Sequence, residues 1–386
     1  MSQFLDSHNF NKKRFIDSSS KLVDPLVMPM HASHSNPIYP VKRRINSQAS
    51  ASLGSTVIYE LPRNFAIAEM FVESDWAQTG SADIVPYAGI SCIKRVKLLC
   101  GSEVLHDYNY KSVISYALSQ MEMNAAVRLL VAAGGTACDS TTAAIPNLSA
   151  LIPTAWSQLL GCDPLLAYKL NQKLTLEITY RSQANCSLSG ATGAAISNSK
   201  LIVYGYSTDS NLRAKHQKMS LSQKSIDFKT LISSAISTAT ETDIDCSGLS
   251  GNIKKICLSP SLSSEIDDAT PVNYFNLKSL NKLVTNIDGD EEIQFLTNIE
   301  GILDSLVYNN YRSQNTAIGY VCLVPFNYEK DHVISNKHFT GGLHSSTVNK
   351  LQLRVTHTAG ANVTIGICGV IDAVFQYNNG GMHKFT

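Results

Sequence analysis

The sequence predicts an all-β protein built from two similar antiparallel sandwiches in tandem, each with a short-to-medium helix inserted between its strands. The first observation is a repeat, since residues 173–180 (KLTLEITY) and residues 350–357 (KLQLRVTH) share one eight-residue pattern. Both segments alternate apolar and polar residues, which is the period of a strand with one buried face. The second observation is that the elements around the two segments follow the same order. One β-rich unit therefore occurs twice in the chain.

The shared order of elements extends to both sides of the repeated segment. An apolar residue followed by proline precedes each copy, at residues 152–153 and 324–325, and a segment of helical period lies further back. A loop rich in small residues follows each copy, and a final apolar strand comes after it, at residues 201–206 and 363–377. Many short strands joined by connections of unequal length are typical of the jelly roll, in which long connections cross between two sheets. We therefore predict two tandem eight-stranded antiparallel jelly-roll sandwiches.

Length and an uneven charge distribution divide the chain into three parts. A chain of 386 residues exceeds the usual limit of a single core, so two domains are expected. Residues 1–50 have no sustained period, and their seven Lys/Arg against three acids give them a net charge of +4. They are either a disordered tail or an arm ordered by a neighbouring subunit or an anionic surface. We predict a basic arm at residues 1–50, a first jelly roll at residues 51–210 and a second at residues 211–386.

In the first unit the strand period gives way once to a helical period. The predicted helix covers residues 110–133, where apolar residues recur at helical spacing. Asp107 or Asn109 can cap its start, and the glycines at residues 134–135 can end it. The predicted strands of this unit are residues 56–61, 65–72, 90–99, 174–180 and 201–206.

The second unit repeats this course after a polar connection at residues 208–225. A turn at residues 288–290 precedes a second helix, predicted from about residue 291 to residue 308, and the acids of the turn would charge its N-terminus favourably. The predicted strands of this unit are residues 243–246, 252–258, 283–287, 318–324, 350–357 and 363–377.

The composition disfavours several classes of protein. The formal net charge is +1, whereas dedicated nucleic-acid binders usually carry a basic excess, so no sequence-specific nucleic acid is expected as a partner. The nine cysteines include no Cys-x-x-Cys pair, which indicates buried free thiols in a reducing compartment rather than disulfides or a zinc knuckle. The N-terminus lacks the apolar core of a signal peptide, and no uncharged apolar run is long enough for a transmembrane segment. We expect a protein that is soluble when made.

No group of residues has the pattern of a catalytic, cofactor or metal site. His332, His338 and His344 lie in one loop, but the sequence contains no His-x-His, which a jelly-roll metalloenzyme would place on one strand. Residues 288–292 (DGDEE) lack the central glycine and the ligand spacing of an EF-hand. Nucleophile-elbow, Walker and dinucleotide-binding motifs are absent. We predict that the protein is not an enzyme and binds no cofactor or metal.

Five segments resemble double jelly-roll major capsid proteins, the lineage of nucleocytoplasmic large DNA viruses, tailless membrane-containing bacteriophages and the adenovirus hexon. Residues 60–64 (ELPRN) and 96–106 (VKLLCGSEVLH) are similar to the strand start and the glycine turn before a helix in the first domain of these proteins. Residues 324–326 (VPF), 339–344 (FTGGLH) and 374–385 (VFQYNNGGMHKF) are similar to the closing sequence of the family. The resemblance extends over both units, and the short loops look like those of the compact phage members.

This resemblance implies a structural role in a virion. In the family, three chains form a homotrimer of six similar units, a pseudo-hexameric capsomer that tiles an icosahedral shell beside minor capsid and penton proteins. The resemblance also implies that the basic arm lies at the inner face, near an internal membrane or a minor capsid protein. Each basic residue of such an arm contributes on the order of 1 kcal/mol near anionic lipid. The residues expected to make this inner-face, membrane or partner contact are Lys12, Lys13, Arg14, Lys42, Arg43 and Arg44.

The alternative is a duplicated jelly-roll carbohydrate-binding module. Such a module needs exposed aromatic residues at loop tips, and the candidates are Trp76, Tyr108 and Tyr110. Mass in solution separates the two hypotheses, because a monomeric module has a mass of 42.0 kDa and the capsomer has three times that mass.

Overall fold

The computed structural model describes most of the chain outside the N-terminal segment. The described residues are 38–77, 85–135, 144–186, 194–208, 210–218, 221–265, 277–297, 299–300, 321–326, 341–378 and 380–386. They form four antiparallel sheets, two in each half of the chain.

The first half contains two four-stranded sheets whose apolar faces share one core. Its strands are β1 (Tyr39–Asn46), β2 (Thr56–Glu60), β3 (Ala66–Ala77), β4 (Ile93–Cys100), β5 (Glu103–Asn109), β6 (Ala144–Leu151), β7 (Leu174–Tyr180) and β8 (Ala195–Ser207). One sheet has the order β1-β8-β3-β6, and the other has the order β2-β7-β4-β5. Because neighbours in each sheet are mostly distant in sequence, the connections cross repeatedly from one sheet to the other.

The second half repeats this arrangement. Its strands are β9 (Leu221–Ile232), β10 (Thr242–Asp245), β11 (Asn252–Leu262), β12 (Leu280–Ile287), β13 (Asp290–Phe295), β14 (Cys322–Pro325), β15 (Leu343–His344), β16 (Leu351–His357), β17 (Val363–Asn378) and β18 (Gly381–Phe385). One sheet has the order β9-β17-β11-β14, with β15 beside β11 and β18 beside β17. The other sheet has the order β10-β16-β12-β13.

The strand order of the two halves is the same once the short β15 and the C-terminal β18 are set aside. In each half the first strand pairs with the eighth, the eighth with the third and the third with the sixth. In the opposite sheet the second strand pairs with the seventh, the seventh with the fourth and the fourth with the fifth. The prediction of two tandem jelly rolls is confirmed. The repeated sequence segment forms β7 and β16, which are the seventh strand of each half and bury alternate residues in the same pattern.

The helices of the described residues lie mainly in the first half and in the connection between the halves. They are α1 (Ala88–Ser91), α2 (Tyr110–Gln120), α3 (Met123–Ala132) and α4 (Ser210–Lys218). The predicted helix at residues 110–133 is therefore two helices, because Met121 and Glu122 have extended backbone dihedrals. The predicted caps are present: the Asn109 side chain accepts a hydrogen bond from the Ser112 N–H, and a glycine pair with positive φ follows α3.

The helix predicted from residue 291 is wrong at its start, because residues 290–295 form strand β13. Asp288 and Gly289 have φ values of 54° and 101°, the positive values that a two-residue hairpin turn requires. The Asp-Gly pair therefore joins β12 to β13, and Ile287 pairs with Asp290. The acids after the turn lie on a strand and do not charge a helix. Further along this predicted segment, residues 299–300 are helical, and residues 301–308 lie outside the described residues.

Several strands were not predicted. Within the predicted arm, Tyr39–Asn46 form β1, and all eight residues pair with β8. Strand β5 lies between the predicted strand at residues 90–99 and the predicted first helix. Strand β9 begins within the predicted connection at residues 208–225. The C-terminal β18 was not foreseen either.

Two hydrophobic cores fill the molecule, and one of them joins the halves. The smaller core lies between the two sheets of the second jelly roll and contains Ile365 and Ile367 of β17. The larger core fills the first jelly roll and continues without interruption to residues of the second, including Phe228 and Val370. Alternate residues of β17 thus contribute to different cores. The two jelly rolls therefore share part of one hydrophobic core.

Candidate interaction surfaces

The surface between the two jelly rolls is the best-defined functional feature of the chain. Helix α2 of the first jelly roll packs against β9, β11 and β17 of the second, and β5 packs against β9. All residues of α2 from Tyr110 to Ser119 are buried, which is unusual for a helix of a small sandwich. Helix α2, which follows the fifth strand, therefore forms much of the contact between the two units.

A buried polar network crosses this surface. Nδ1 of His106, on β5, lies 3.0 Å from Oδ1 of Asp227, on β9. The other ring nitrogen of His106 accepts a hydrogen bond from the Ala155 N–H at 3.0 Å, so the proton of the neutral ring lies on Nδ1 and is donated to Asp227. Lys384 of β18 completes the network by donating to Asp227 Oδ2 at 2.8 Å and to the Leu105 carbonyl at 2.7 Å.

The environment sets the ionisation of each group in this network. Burial lowers the pKa of His106 and keeps the imidazole neutral, although Asp227 opposes this effect. Burial alone would raise the pKa of Asp227, but the hydrogen bond from His106 and the positive charge of Lys384 outweigh it and lower the pKa to about 2. The network is therefore an ion pair between Asp227 and Lys384 with a neutral histidine as hydrogen-bond donor.

Aromatic side chains from both jelly rolls surround the network. The rings of Trp156 and Phe375 lie 4.9 Å apart, and the ring of His106 lies 5.3 Å from that of Trp156. Phe228 contacts Tyr108 and Tyr116 with ring centroids 5.9 Å and 6.0 Å apart. Such tilted and edge-to-face pairs stabilise a packed interface beyond the area that they bury.

Close approach of α2 to the second jelly roll depends on a glycine. A Cβ atom at Gly366 of β17 would lie 2.7 Å from Oγ of Ser112 and 2.7 Å from Oγ of Ser259. Next to this contact, Lys111 of α2 donates a hydrogen bond to Oγ of Ser261 on β11. The relative position of the two jelly rolls is thus fixed by apolar packing, by hydrogen bonds and by the absence of a side chain at one position.

Half of the basic residues predicted to make external contacts lie on β1. Lys42, Arg43 and Arg44 are exposed on this strand, which is the edge of its sheet in the described part of the chain. Nζ of Lys42 lies 5.2 Å from the ring centroid of Tyr204, its partner across the strands. Proline and consecutive charges on an edge strand also discourage uncontrolled pairing with other chains. The other three predicted residues, Lys12, Lys13 and Arg14, lie outside the described residues.

The outer face of the sheet that contains β1 is partly exposed in the described part of the chain. Arg44, Ile202 and Phe71 are cross-strand neighbours on this face, and Tyr204 beside them is 37% exposed. One carboxylate on the face is buried: Glu69 accepts hydrogen bonds from Oγ of Ser157 and the backbone N–H of Leu159. Burial raises the pKa of Glu69 to about 7 in spite of these bonds. The face combines apolar side chains with a basic margin.

A second bare edge belongs to the second jelly roll. Asp290, Glu291 and Glu292 of β13 are exposed, and the apolar Leu296 and Ile299 just beyond them are 52% and 70% exposed. Glu291 accepts a hydrogen bond from Arg354 at 2.6 Å, but Asp290 and Glu292 have no ion pair within the described residues. This edge therefore combines acidic and apolar side chains.

The structure contradicts the binding surface that the carbohydrate-binding alternative would need. The aromatic residues proposed for a carbohydrate-binding surface are buried, since Trp76, Tyr108 and Tyr110 are at most 1% exposed. Across the described segments no group of three or more metal-ligating side chains comes together. His344 is exposed with its ring beside Ser346, while His332 and His338 lie outside the described residues.

Two further expectations concern cysteines and membranes. Eight of the nine cysteines lie in the described residues, and all eight are buried free thiols, as predicted. Among the helices that the structure describes, none combines the length and the apolar character needed to cross a membrane.

The residues that join the jelly rolls were not predicted from the sequence. A signal was nevertheless present, because His106 and Asp227 each follow an apolar residue inside a strand-like segment, where a titratable side chain is costly to bury. Such a residue marks a position that needs a partner from elsewhere in the fold. The identity of that partner has no sequence signal, since His106 and Asp227 are 121 residues apart.

Comparison with known proteins places this architecture among viral capsid proteins. No protein-family model and no curated protein matches the sequence. Among solved structures, PBCV-1 VP54, which has been fitted into a reconstruction of the virophage Sputnik, is similar with a TM-score of 0.69 and 13% identity over 92% of this chain and 98% of that one. The Faustovirus major capsid protein has a TM-score of 0.65 and 10% identity over 96% and 98% of the two chains. The mavirus major capsid protein has a TM-score of 0.51 and 9% identity over 89% and 90%.

These likenesses define the fold. The chain has the double jelly-roll fold of viral major capsid proteins, and it spans nearly the whole length of each of the three structures. The resemblance detected in the sequence is confirmed at this level.

Proposed function

We propose that the chain is a major capsid protein, a structural subunit of an icosahedral virion, and that it has no catalytic activity. The observation that carries this proposal is the duplicated jelly roll, which matches capsid proteins over almost the full length of both chains. The buried interface between the halves supports it further, because a structural subunit needs two units held at a fixed angle. Within the described residues, no group of three or more metal-ligating side chains comes together.

The capsomer that we propose is a homotrimer with six jelly rolls in a ring. The contact within the chain is heterologous, because the fifth strand and following helix of one unit meet the outer sheet face of the other. A heterologous contact uses two different surfaces, and each chain leaves one surface of each kind uncovered. Repetition of the contact between chains closes a ring when the rotation at each contact is near 60°. Three chains then supply six units and fit a hexagonal lattice.

The segment before β1 is proposed to face the virion interior. It carries Lys12, Lys13 and Arg14, and its charge suits an anionic membrane surface or an acidic minor capsid protein. Neighbouring capsomers and penton proteins are the other partners proposed for the assembled shell. The virion capsid is accordingly the proposed location of the protein.

Light scattering after size-exclusion chromatography tests the proposal. We expect a mass of 126 kDa, three times 42.0 kDa, and six-lobed particles in negative-stain images. A mass of 42.0 kDa at all concentrations, without particles, would contradict the capsomer. Binding to a glycan array by that monomer would favour a carbohydrate-binding module instead.

A further inference from the structure

The contact within the chain provides a template for the contact between chains. Strand β5 is the edge of one sheet in the first jelly roll, and it packs against β9, the edge of a sheet in the second. By strand order, the counterpart of β5 in the second jelly roll is β13, and the counterpart of β9 in the first is β1. Among the described residues, neither counterpart packs against the other jelly roll.

Burial of the four strands reflects this difference. Four consecutive residues of β9, from Ser225 to Phe228, are buried, because Ile226 and Phe228 lie in the core shared with the first jelly roll, and Ser225 and Asp227 bond to Ala155 and His106 of that unit. On β1, by contrast, only Val41 and Ile45 are even half-buried. The first three residues of β13 are all exposed, whereas β5 buries Leu105 and His106. In the described part of the chain, β1 and β13 are therefore exposed, whereas their counterparts β9 and β5 are covered.

The charges of the two bare strands are opposite. Strand β1 carries Lys42, Arg43 and Arg44 in succession, and β13 carries Asp290, Glu291 and Glu292. The covered pair also has a polar contact, since Asp227 of β9 accepts a hydrogen bond from the neutral His106 of β5. Opposite charge on facing surfaces favours one orientation and disfavours contact of like strands.

Apolar side chains accompany both charged strands in corresponding places. Tyr39 on β1 and Tyr204 on β8 are 50% and 37% exposed, and Leu296 and Ile299 after β13 are 52% and 70% exposed. Within the chain, the segment after β5 is α2, and it packs on β17, the counterpart of β8. The residues after β13 are thus expected to meet the Tyr204 face of another copy.

We propose that the basic strand β1 of one copy binds the acidic strand β13 of a second copy, with Leu296 and Ile299 packed on the Tyr204 face. This inference rests on the proposed capsomer and names the surfaces that close its ring. It also gives Lys42, Arg43 and Arg44 a role at the contact between copies, distinct from that of the preceding arm.

Charge reversal of each strand tests the pairing. We expect Arg43→Glu with Arg44→Glu, and separately Asp290→Lys with Glu292→Lys, to reduce the mass in solution threefold, from 126 to 42.0 kDa. The variant with all four substitutions exchanges the charges of the two strands and is expected to recover the mass of 126 kDa. A matched control for the first pair, Arg128→Glu with Lys350→Glu, makes the same change in net charge at two other exposed residues and should leave the trimer intact.

The outcomes separate the pairing from the capsomer itself. A wild-type protein that remains at 42.0 kDa overturns both proposals. A wild-type trimer that survives either reversal, or reversals that the four-substitution variant does not rescue, overturns only the pairing. Thermal unfolding monitored by circular dichroism identifies any variant that fails to fold.

A cross-linking measurement covers the case of a misfolded reversal variant. Arg43→Cys and Glu292→Cys introduced together, followed by mild oxidation with copper phenanthroline, should give covalent multimers on a non-reducing gel, and neither single variant should do so. The eight described native cysteines are buried, and the ninth, Cys138, is replaced by serine in all three variants. Only monomeric bands from the double variant, in a sample that is trimeric by light scattering, would overturn the pairing.

Discussion

Nδ1 of His106 donates a hydrogen bond to Oδ1 of Asp227 across the boundary between the two jelly rolls, and neither side chain is more than 1% exposed. A buried carboxylate is costly unless it is fully paired, and here a histidine from one unit and Lys384 of the C-terminal strand supply the partners. The network therefore makes the position of the second unit depend on the first.

Removal of the carboxylate should destabilise the molecule strongly. Asp227→Ala leaves the Lys384 ammonium and the His106 N–H without their acceptor, and we expect a loss of about 3 kcal/mol in the free energy of unfolding. Chemical denaturation checks this value. The control is Glu60→Ala, which removes an exposed ion pair with Lys173 and should cost less than about 1 kcal/mol. Equal losses in the two variants would contradict a structural role for the network.

Acid should weaken the fold through the same histidine. Because the pKa of His106 is lowered in the folded protein, the unfolded chain binds a proton below about pH 6.5 while the folded chain does not. Stability is then complete above pH 6.5 and falls as the pH decreases, by up to about 1.4 kcal/mol per pH unit for this group. Burial also lowers the pKa of His216, to about 4, so that residue contributes in the same direction.

Denaturation midpoints between pH 8 and pH 4 test this pH dependence. The variant His106→Gln should show a shallower decrease than the wild type, whatever its absolute stability. His344→Gln, at an exposed position, should reproduce the wild-type slope. A His106→Gln slope equal to that of the wild type would show that the ring is not held neutral.

A methyl group at Gly366 should push the jelly rolls apart. Its Cβ would lie 2.7 Å from the Ser112 and Ser259 hydroxyl oxygens, so these groups have to move, and overpacking of this kind costs about 1–3 kcal/mol. Gly360→Ala is the control, because a Cβ there meets no atom within 4 Å, and its effect should be within about 0.5 kcal/mol. The measurement is the free energy of unfolding of the two variants. If Gly366→Ala leaves this free energy unchanged, the tight contact is contradicted.

Truncation should separate the arm from the fold. Deletion of residues 1–37 stops before β1, so we expect an unchanged mass in solution and a reduced yield of complete shells. Deletion of residues 1–46 also removes β1, and with it Val41 and Ile45, which pack on the core of the first jelly roll. The longer deletion should lower the thermal midpoint. Shell yields and melting curves of both forms provide the test, and a full yield without residues 1–37 would argue against an assembly role for the arm.

The predictable parts of the fold were those with clean alternation. The segments at residues 174–180 and 350–357 coincide with β7 and β16 to within one residue, because each is a central strand with one buried face. The turn at Asp288 was found, but its consequence was misjudged, since the spacing of the apolar residues after it also fits a helix. In the structure the hairpin turn outweighs that spacing.

The candidate surfaces were predictable only in part. The basic cluster at Lys42 is visible in the sequence, but its strand is not, because an edge strand with little burial has no regular apolar period. The acidic cluster of β13 is also visible in the sequence, but its role is not. Only the strand order shows that β13 is the counterpart of β5. Long-range contacts of this kind depend on topology, which local patterns do not specify.

Helix α4 follows directly after β8 and leads into β9, and this tether makes half of the proposed ring contacts intramolecular. Such a contact forms at a high effective concentration that does not change when the protein is diluted. Dilution should therefore separate whole chains while each chain keeps its two sandwiches docked. The rate of shell growth would then depend on protein concentration only through the contacts between chains. A newly made chain would be able to join as soon as it has folded.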